Sequence, residues 1–506
     1  MKQYFYLLVI LFLASCSNNK VANYESINSD IIPKPISVEI TEGSFVLDKN
    51  TSFVADPSMR NSAMFLHGFI AKGFGLDFGE TKTGNTIEFV LDTNITDNEA
   101  YKILIQQHNI EIRANGDKGA FFAVQTMKQL LPASFENLSF HKKSVSLPLL
   151  RIIDSPRYKY RGFMLDVSRH FFTVKELKRV IDLLAIYKIN TLHLHLSDDQ
   201  GWRIEIKSWP NLTAYGSKSS VKNEKGGFYT QLDYIDIQNY ALKRHIEVIP
   251  EIDMPGHTNA ALASYPELNC NGKVPALYSG TEVGFSSFCV DKEITYTFVD
   301  DVLRELSEIT IGRYIHIGGD ESKSTDEDDY IVFINNVRKM VKSHGKIPIG
   351  WDEIANADIE DGAIVQYWGD VENVQLAASK NAHIIMSPAD RIYLDIKYND
   401  STKLGLRWSG LNDVQDAYSW KVDSLVSGVS GDNIIGVEAP LWTETIVNGY
   451  DIEYMVFPRI VGVAEIAWSQ EKDINWQDYK VRLSKQKSRF EAYGINYYKS
   501  EKVDWK

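Results

Sequence analysis

From about residue 160 onwards the chain alternates short apolar runs with longer amphipathic stretches, and this alternation constrains the fold more than any other feature. Eight runs read as strands: 161–167, 191–196, 246–252, 314–319, 347–350, 363–367, 383–386 and 434–439. Helical patterns such as Val174–Tyr187 and Tyr234–Arg244 fall between them. Eight β-then-α units over about 340 residues predict an α/β architecture closed as a (β/α)8 barrel, spanning 156–506. No internal repeat stands out. Chemistry in such barrels sits at the C-terminal ends of the strands, so polar residues should cluster there.

The preceding part has a different texture. Residues 34–155 carry short alternating runs, Ile87–Leu91 and Tyr101–Ile105 among them, and one helical pattern, Gly119–Leu131, stopped by Pro132. Strands with a helix predict a smaller α+β domain, bounded by Asp154-Ser-Pro156. Ahead of it, Lys2 precedes an apolar run from Tyr4 to Ala14. About 11 residues cannot cross a hydrocarbon core of about 30 Å, so the run reads as a signal peptide. It ends in Leu13-Ala14-Ser15-Cys16, which resembles a bacterial lipobox. Residues 1–16 are then a lipoprotein signal with Cys16 as the lipidated residue, and polar residues 17–33 form a tether. The expectation is an exported bacterial lipoprotein, membrane-anchored in the periplasm or at the cell surface.

Composition narrows the partners. The chain's 506 residues carry 54 basic and 67 acidic side chains, a net charge of −13, which argues against nucleic acid or an anionic membrane surface. Three cysteines are too few for a disulfide scaffold or a closed zinc site. All ten tryptophans lie after residue 200, so an aromatic-lined ligand site belongs to the C-terminal part.

The strand ends do carry the polar residues. In chain order they read Leu165-Asp-Val-Ser-Arg169, His193-Leu-His-Leu-Ser-Asp198-Asp199-Gln-Gly-Trp-Arg203, Glu251-Ile-Asp-Met-Pro-Gly-His257 and His316-Ile-Gly-Gly-Asp320-Glu321. Later ends carry Trp351-Asp-Glu353, Gln366-Tyr-Trp368, Tyr393-Leu-Asp395 and Glu438-Ala-Pro-Leu-Trp442-Thr-Glu444. Aromatic rings against a sugar's apolar face, with carboxylates and Arg on its hydroxyls, make a saccharide pocket. His193-x-His195 has a second reading, a metal pair on one strand face, beside the plainer one of barrel-interior packing. The acidic run Asp326–Asp329 reads as a solvated face or as the mark of a leaving-group preference.

These motifs resemble, in order and spacing, those of the β-N-acetylhexosaminidases of glycoside hydrolase family 20. The likeness covers nearly the whole barrel and the domain before it. It implies an exo-glycosidase that removes terminal N-acetylglucosamine or N-acetylgalactosamine by substrate-assisted, retaining hydrolysis, with no cofactor and no metal. Glu321 would be the general acid and Asp320 would hold the acetamido N–H, while Tyr393 would bond the acetamido carbonyl. Trp351, Trp368 and Trp442 would wall the pocket, Arg169, Asp395 and Glu444 would bind ring hydroxyls, and Asp198 with His257 would form a relay behind Glu321. The partners are N-acetylhexosamine-terminated oligosaccharides or glycoconjugates, with the membrane engaged only through the lipid. Alternatives within reach are a disaccharide-releasing relative, a glycan-binding lipoprotein of the same fold and a metal-dependent hydrolase.

The residues support part of this on their own. Period-two alternation places His316, Gly318 and Asp320 on one face of the fourth strand, and Glu321 can work beside Asp320 only if the pleat is lost there. The two glycines are expected to open room for a ligand. An acid next to another carboxylate should have its pKa raised, which suits a proton donor. Cys270 and Cys289 both lie in the long insertion after the third strand and, in an exported protein, are expected to pair; two unpaired thiols are the alternative.

Overall fold

The computed structural model describes residues 30–75, 84–137 and 143–505. The Cys16 lipidation site and residues 17–29 of the expected tether lie outside them. The tether does not extend to residue 33. Ile31 and Ile32 are buried in the core, and Arg482 donates to the Ile31 carbonyl at 3.1 Å. Two apolar residues between polar ones have no period to reveal them.

The N-terminal domain is a six-stranded mixed sheet: β1 (Ser37–Asp48), β2 (Ser52–Ala55), β3 (Thr86–Leu91), β4 (Tyr101–Ile105), β5 (Asn109–Ala114) and β6 (Ser144–Asp154), in the order β1-β6-β4-β5-β3-β2. Strict alternation of buried and half-buried residues in β4 and β5 gives the sheet one covered face, as period-two patterning requires. Helices α1 (Arg60–Phe74) and α2 (Asp117–Leu130) accompany it. Helix α2 is buried almost all round, and its Phe122 ring packs edge-on against Trp468 of the barrel domain at 5.3 Å.

A buried ionic joint holds the two domains together. Asp154 at the end of β6 accepts from Lys188 Nζ (2.9 Å), Tyr101 OH (2.5 Å) and Trp468 Nε1 (2.9 Å). A buried carboxylate is tolerated because three donors replace its water.

The barrel strands are β7 (Tyr160–Asp166), β8 (Thr191–His195), β9 (Glu247–Glu251), β10 (Tyr314–His316), β11 (Ile347–Trp351), β12 (Ile364–Tyr367), β13 (His383–Met386) and β14 (Ile434–Leu441). They close as one all-parallel barrel, with β14 pairing back onto β7. Longer helices around it include α3 (Val174–Ile186), α4 (Gln231–Leu242), α5 (Glu293–Ile309) and α6 (Glu327–Ser343). Inside, Tyr160, Ile249, Ile349, Ile364 and Ile385 pack as one layer. Met164, Trp351, Tyr393 and Trp442 form a separate aromatic cluster. Among the described residues no helix is long and apolar enough to cross a membrane.

One expectation is corrected here, and the solvated-face reading of the acidic run is kept. The fourth barrel strand stops at His316 rather than 319, because Gly318 and Gly319 take φ values of +65° and +105°. The acidic run is the start of α6: Asp326 precedes it, and Glu327, Asp328 and Asp329 occupy its first turn. Acidic side chains there meet unpaired N–H groups and the positive end of the helix dipole, which accounts for the run without a leaving-group role.

Candidate active site

The site is organised by the turn after β10. Gly319 donates its N–H to Asp253 Oδ1 at 3.0 Å, and Trp351 donates its own to the Gly318 carbonyl at 3.0 Å. A Cβ on Gly318 would lie 1.8 Å from Asp253 Oδ1 and 2.7 Å from the Asp253 Cα; one on Gly319 would lie 2.8 Å from Ile354. The space the glycines leave is therefore filled by the protein, and no ligand enters it. The direction of Asp320 comes from this turn rather than from continued pleating, and Glu321 follows at φ +45°, off the strand.

The structure brings Asp198, His257, Asp320 and Glu321 together. His257 Nδ1 lies 3.2 Å from Asp198 Oδ1, and its Nε2 lies 3.7 Å from both Asp320 Oδ2 and Glu321 Oε2. Asp198 also receives Arg169 Nη1 at 2.6 Å and His195 Nε2 at 2.8 Å. Glu321 is the more open of the acid pair, with 25% of its side chain exposed, and Lys323 Nζ stands 3.3 Å from its Oε1.

Burial and these partners set the charges. Burial, reinforced by the neighbouring Asp253, pushes the Asp320 carboxyl well above the usual range. Within the pair, Glu321 adds to this push on Asp320. Burial also favours neutral Asp198, but Arg169 and His257 overcome this and keep it ionised. His257 is likewise held protonated by Asp198 and Asp320 against the effect of burial.

An aromatic wall stands beside the acids. Trp351 and Trp442 pack at 5.9 Å, Tyr393 lies 6.4 Å from Trp442, and half-buried Trp368 joins the same cluster. The Arg169 guanidinium stacks 4.7 Å over Trp442. Asp395 and Glu444 sit at the same mouth, and both carboxyls are pushed up by burial, Asp395 further by Glu444. Among the described residues, several buried atoms here find no hydrogen-bond partner: Asp320 Oδ1, both oxygens of Asp395, Glu444 Oε2 and Arg169 Nε. Buried polar atoms are normally satisfied, so this set marks where a polar ligand supplies the partners.

Three residues here escape sequence reasoning. Glu353 holds Trp368 by accepting its indole N–H at 3.1 Å. Trp408, 56% exposed, packs edge-on to Trp368 and Tyr393 at 6.1 and 5.9 Å. Glu251 accepts the Trp351 indole N–H at 2.9 Å. Glu353 and Glu251 belong to the quoted strand-end motifs, whereas Trp408 lies in an irregular segment that no periodicity flags.

His193 and His316, with Glu251, place possible ligand atoms within 4.8 Å of one another. The His193 ring lies between Glu438 at 2.9 Å and Glu251 at 3.1 Å, so both nitrogens already face carboxylates. Cys270 and Cys289 form a disulfide. The loop it closes touches the site at two places: Ser324 Oγ, three residues past Glu321, donates to the Gly284 carbonyl at 2.7 Å, and Ser286 Oγ donates to Asp199 at 2.5 Å.

Comparison with known proteins agrees with this geometry. Residues 158–471 match the model of "Glycosyl hydrolase family 20, catalytic domain", and 28–155 match its "domain 2". A beta-N-acetylhexosaminidase of Cellulomonas fimi is 37% identical over 486 residues, covering 94% of this chain and 97% of that protein. A beta-hexosaminidase of Porphyromonas gingivalis is 34% identical, covering 97% of this chain and 67% of that one. Among solved structures, the GH20 beta-N-acetylhexosaminidase of Streptomyces coelicolor superposes with a TM-score of 0.92 at 45% identity, covering 94% of this chain and 99% of that one. With both domains matched and relatives aligned over nearly its whole length, the chain belongs to glycosyl hydrolase family 20.

Proposed function

We propose that the chain is an exo-acting β-N-acetylhexosaminidase that works by substrate assistance. One observation carries this reading: buried oxygens of Asp320, Asp395 and Glu444 find no hydrogen-bond partner among the described residues and stand beside a wall of Trp351, Trp368, Trp442 and Tyr393. A terminal N-acetylhexosamine offers hydroxyls for Asp395, Glu444 and Arg169, and an acetamido group for the aromatic wall. The solved relatives include a Streptomyces plicatus beta-hexosaminidase mutant in complex with GlcNAc, at a TM-score of 0.91 and 45% identity.

In the reaction the acetamido oxygen attacks the anomeric carbon while Glu321 gives its proton to the departing glycosidic oxygen. An oxazolinium ring forms, and water opens it after giving a proton back to Glu321. Asp320 accepts the acetamido N–H and meets the positive charge that develops on the ring. Burial, with Asp320 and Asp395 nearby, keeps Tyr393 a neutral phenol, able to donate to the acetamido oxygen and align its attack. His257, held by Asp198, stands behind both acids.

Hydrolysis of a panel of aryl N-acetylglucosaminides, N-acetylgalactosaminides and plain glucosides tests the reading. The N-acetylated substrates should turn over and the plain glucoside should be nearly inert. Equal rates would overturn it.

The same reading extends to location: Cys16 carries lipid and holds the enzyme at a membrane. Cys16→Ala should release the protein into the soluble fraction, and continued membrane association would contradict the anchor.

A further inference from the structure

Beneath the site lies a buried group that the proposed mechanism does not use. Glu251, at the end of β9, is fully enclosed and meets four side chains at once. Its Oε1 accepts Trp351 Nε1–H at 2.9 Å and lies 2.9 Å from His316 Nδ1. Its Oε2 lies 2.5 Å from His195 Nδ1 and 3.1 Å from His193 Nε2. His195 then reaches Asp198 through its other nitrogen, and Asp198 reaches His257. One carboxylate thus ties the aromatic wall to the relay behind Glu321.

We propose that Glu251 is a positioning residue for the reaction, joining Trp351 in the pocket wall to the His195–Asp198–His257 chain. The inference rests on the hexosaminidase reading above.

The chemistry of the chain explains what Glu251 does. An ionised carboxylate only accepts hydrogen bonds, so a ring held between two of them must donate from both nitrogens. His195 stands between Glu251 and Asp198 and is therefore an imidazolium. Burial opposes that charge, and Glu251 with Asp198 overcomes it, holding the ring's pKa well above its ordinary value. The other groups facing His195 are the Arg169 guanidinium, 3.4 Å from Nε2, and the edge of Trp442. Asp253, two residues beyond Glu251, and His193, on the same strand face as His195, complete the nearby charges. Protonated His195 clamps Asp198 Oδ2, which leaves Oδ1 for His257.

Glu251→Gln keeps the shape and a carbonyl for the Trp351 indole but removes the charge. Without it, the His195 pKa falls toward its ordinary value near 6.5. Protonation is lost as pH rises through that lower pKa, so the variant gains an alkaline fall in kcat/KM that wild type lacks over the same range. The ratio of wild-type to variant kcat/KM on an N-acetylglucosaminide with a poor, non-aryl leaving group should be about tenfold larger at about pH 8 than at about pH 5, with KM within about twofold of wild type.

A purely structural role would lower activity by the same factor at every pH, and that result would overturn the proposal. If Glu251→Gln does not fold, as judged by circular dichroism, His195→Gln serves. It breaks the link to Asp198 while leaving the Glu251 contact with Trp351, and it should lower kcat at least about tenfold with KM little changed. Wild-type kcat in that variant, or failure of both variants to fold, would also overturn it. A wild-type enzyme that does not hydrolyse the substrate would instead sink the hexosaminidase reading, so the two failures are distinguishable.

Discussion

Gly319 donates its N–H to Asp253 Oδ1 at 3.0 Å, and the Cβ missing from Gly318 would lie 1.8 Å from that same oxygen. A carboxylate packed against two backbone units at positive φ holds the turn from which Asp320 and Glu321 project. Gly318→Ala should therefore cost more than the about 1–2 kcal/mol of a left-handed alanine, because the new methyl also collides with Asp253. A lowered melting temperature together with a loss of turnover of about a hundredfold or more is expected. Normal turnover would mean that the turn tolerates the shift.

Asp320 has to be ionised to meet the developing ring charge, so activity falls as pH drops through its pKa. Burial raises that pKa most; Asp253 raises it further, and His257 lowers it. Asp253→Asn should therefore move the acidic limb of kcat/KM to lower pH, and His257→Ala should move it upward. Shifts in the same direction would show that a different group controls the limb.

Glu321→Gln removes the proton but keeps the side chain's shape. Turnover of substrates with poor leaving groups should fall by about 10² to 10⁴, and that of aryl glycosides whose leaving group departs unprotonated should fall far less. Rates for the two substrate types, measured side by side, decide it. Equal losses would remove Glu321 from the role of acid.

The disulfide Cys270–Cys289 closes a loop that reaches Ser324, just past the acid turn, through Gly284, and Asp199 through Ser286. Closing a loop of about 20 residues is worth roughly 3 kcal/mol, so Cys289→Ser should lower the melting temperature by several degrees. Unreduced, unfolded wild type should show no reactive thiol at these two positions.

Legibility in the sequence followed physical rules. The barrel is readable because each strand is a short apolar run ending in a polar motif, and the wall because Trp351, Trp368 and Trp442 fall at those ends. The acid turn is misread because Gly318 and Gly319 continue a strand-like pattern while their positive φ ends the strand. Glu251 looks like any strand-end carboxylate; its four contacts come from three other strands, and sequence spacing cannot express that. Trp408 lies where no period exists. Ile31 and Ile32 are held by residues distant in the chain: Arg482 donates to the Ile31 carbonyl, and the Gln129 amide bonds both the N–H and the carbonyl of Ile32.

Substrate assistance is most directly tested with aryl N-acetylglucosaminides whose acetyl group carries zero, one, two or three fluorines. Each fluorine withdraws electrons from the attacking carbonyl oxygen, so kcat/KM should fall steeply along the series when that oxygen is the nucleophile. A rate indifferent to fluorination, or a glycosyl ester trapped on Asp320, would contradict the mechanism.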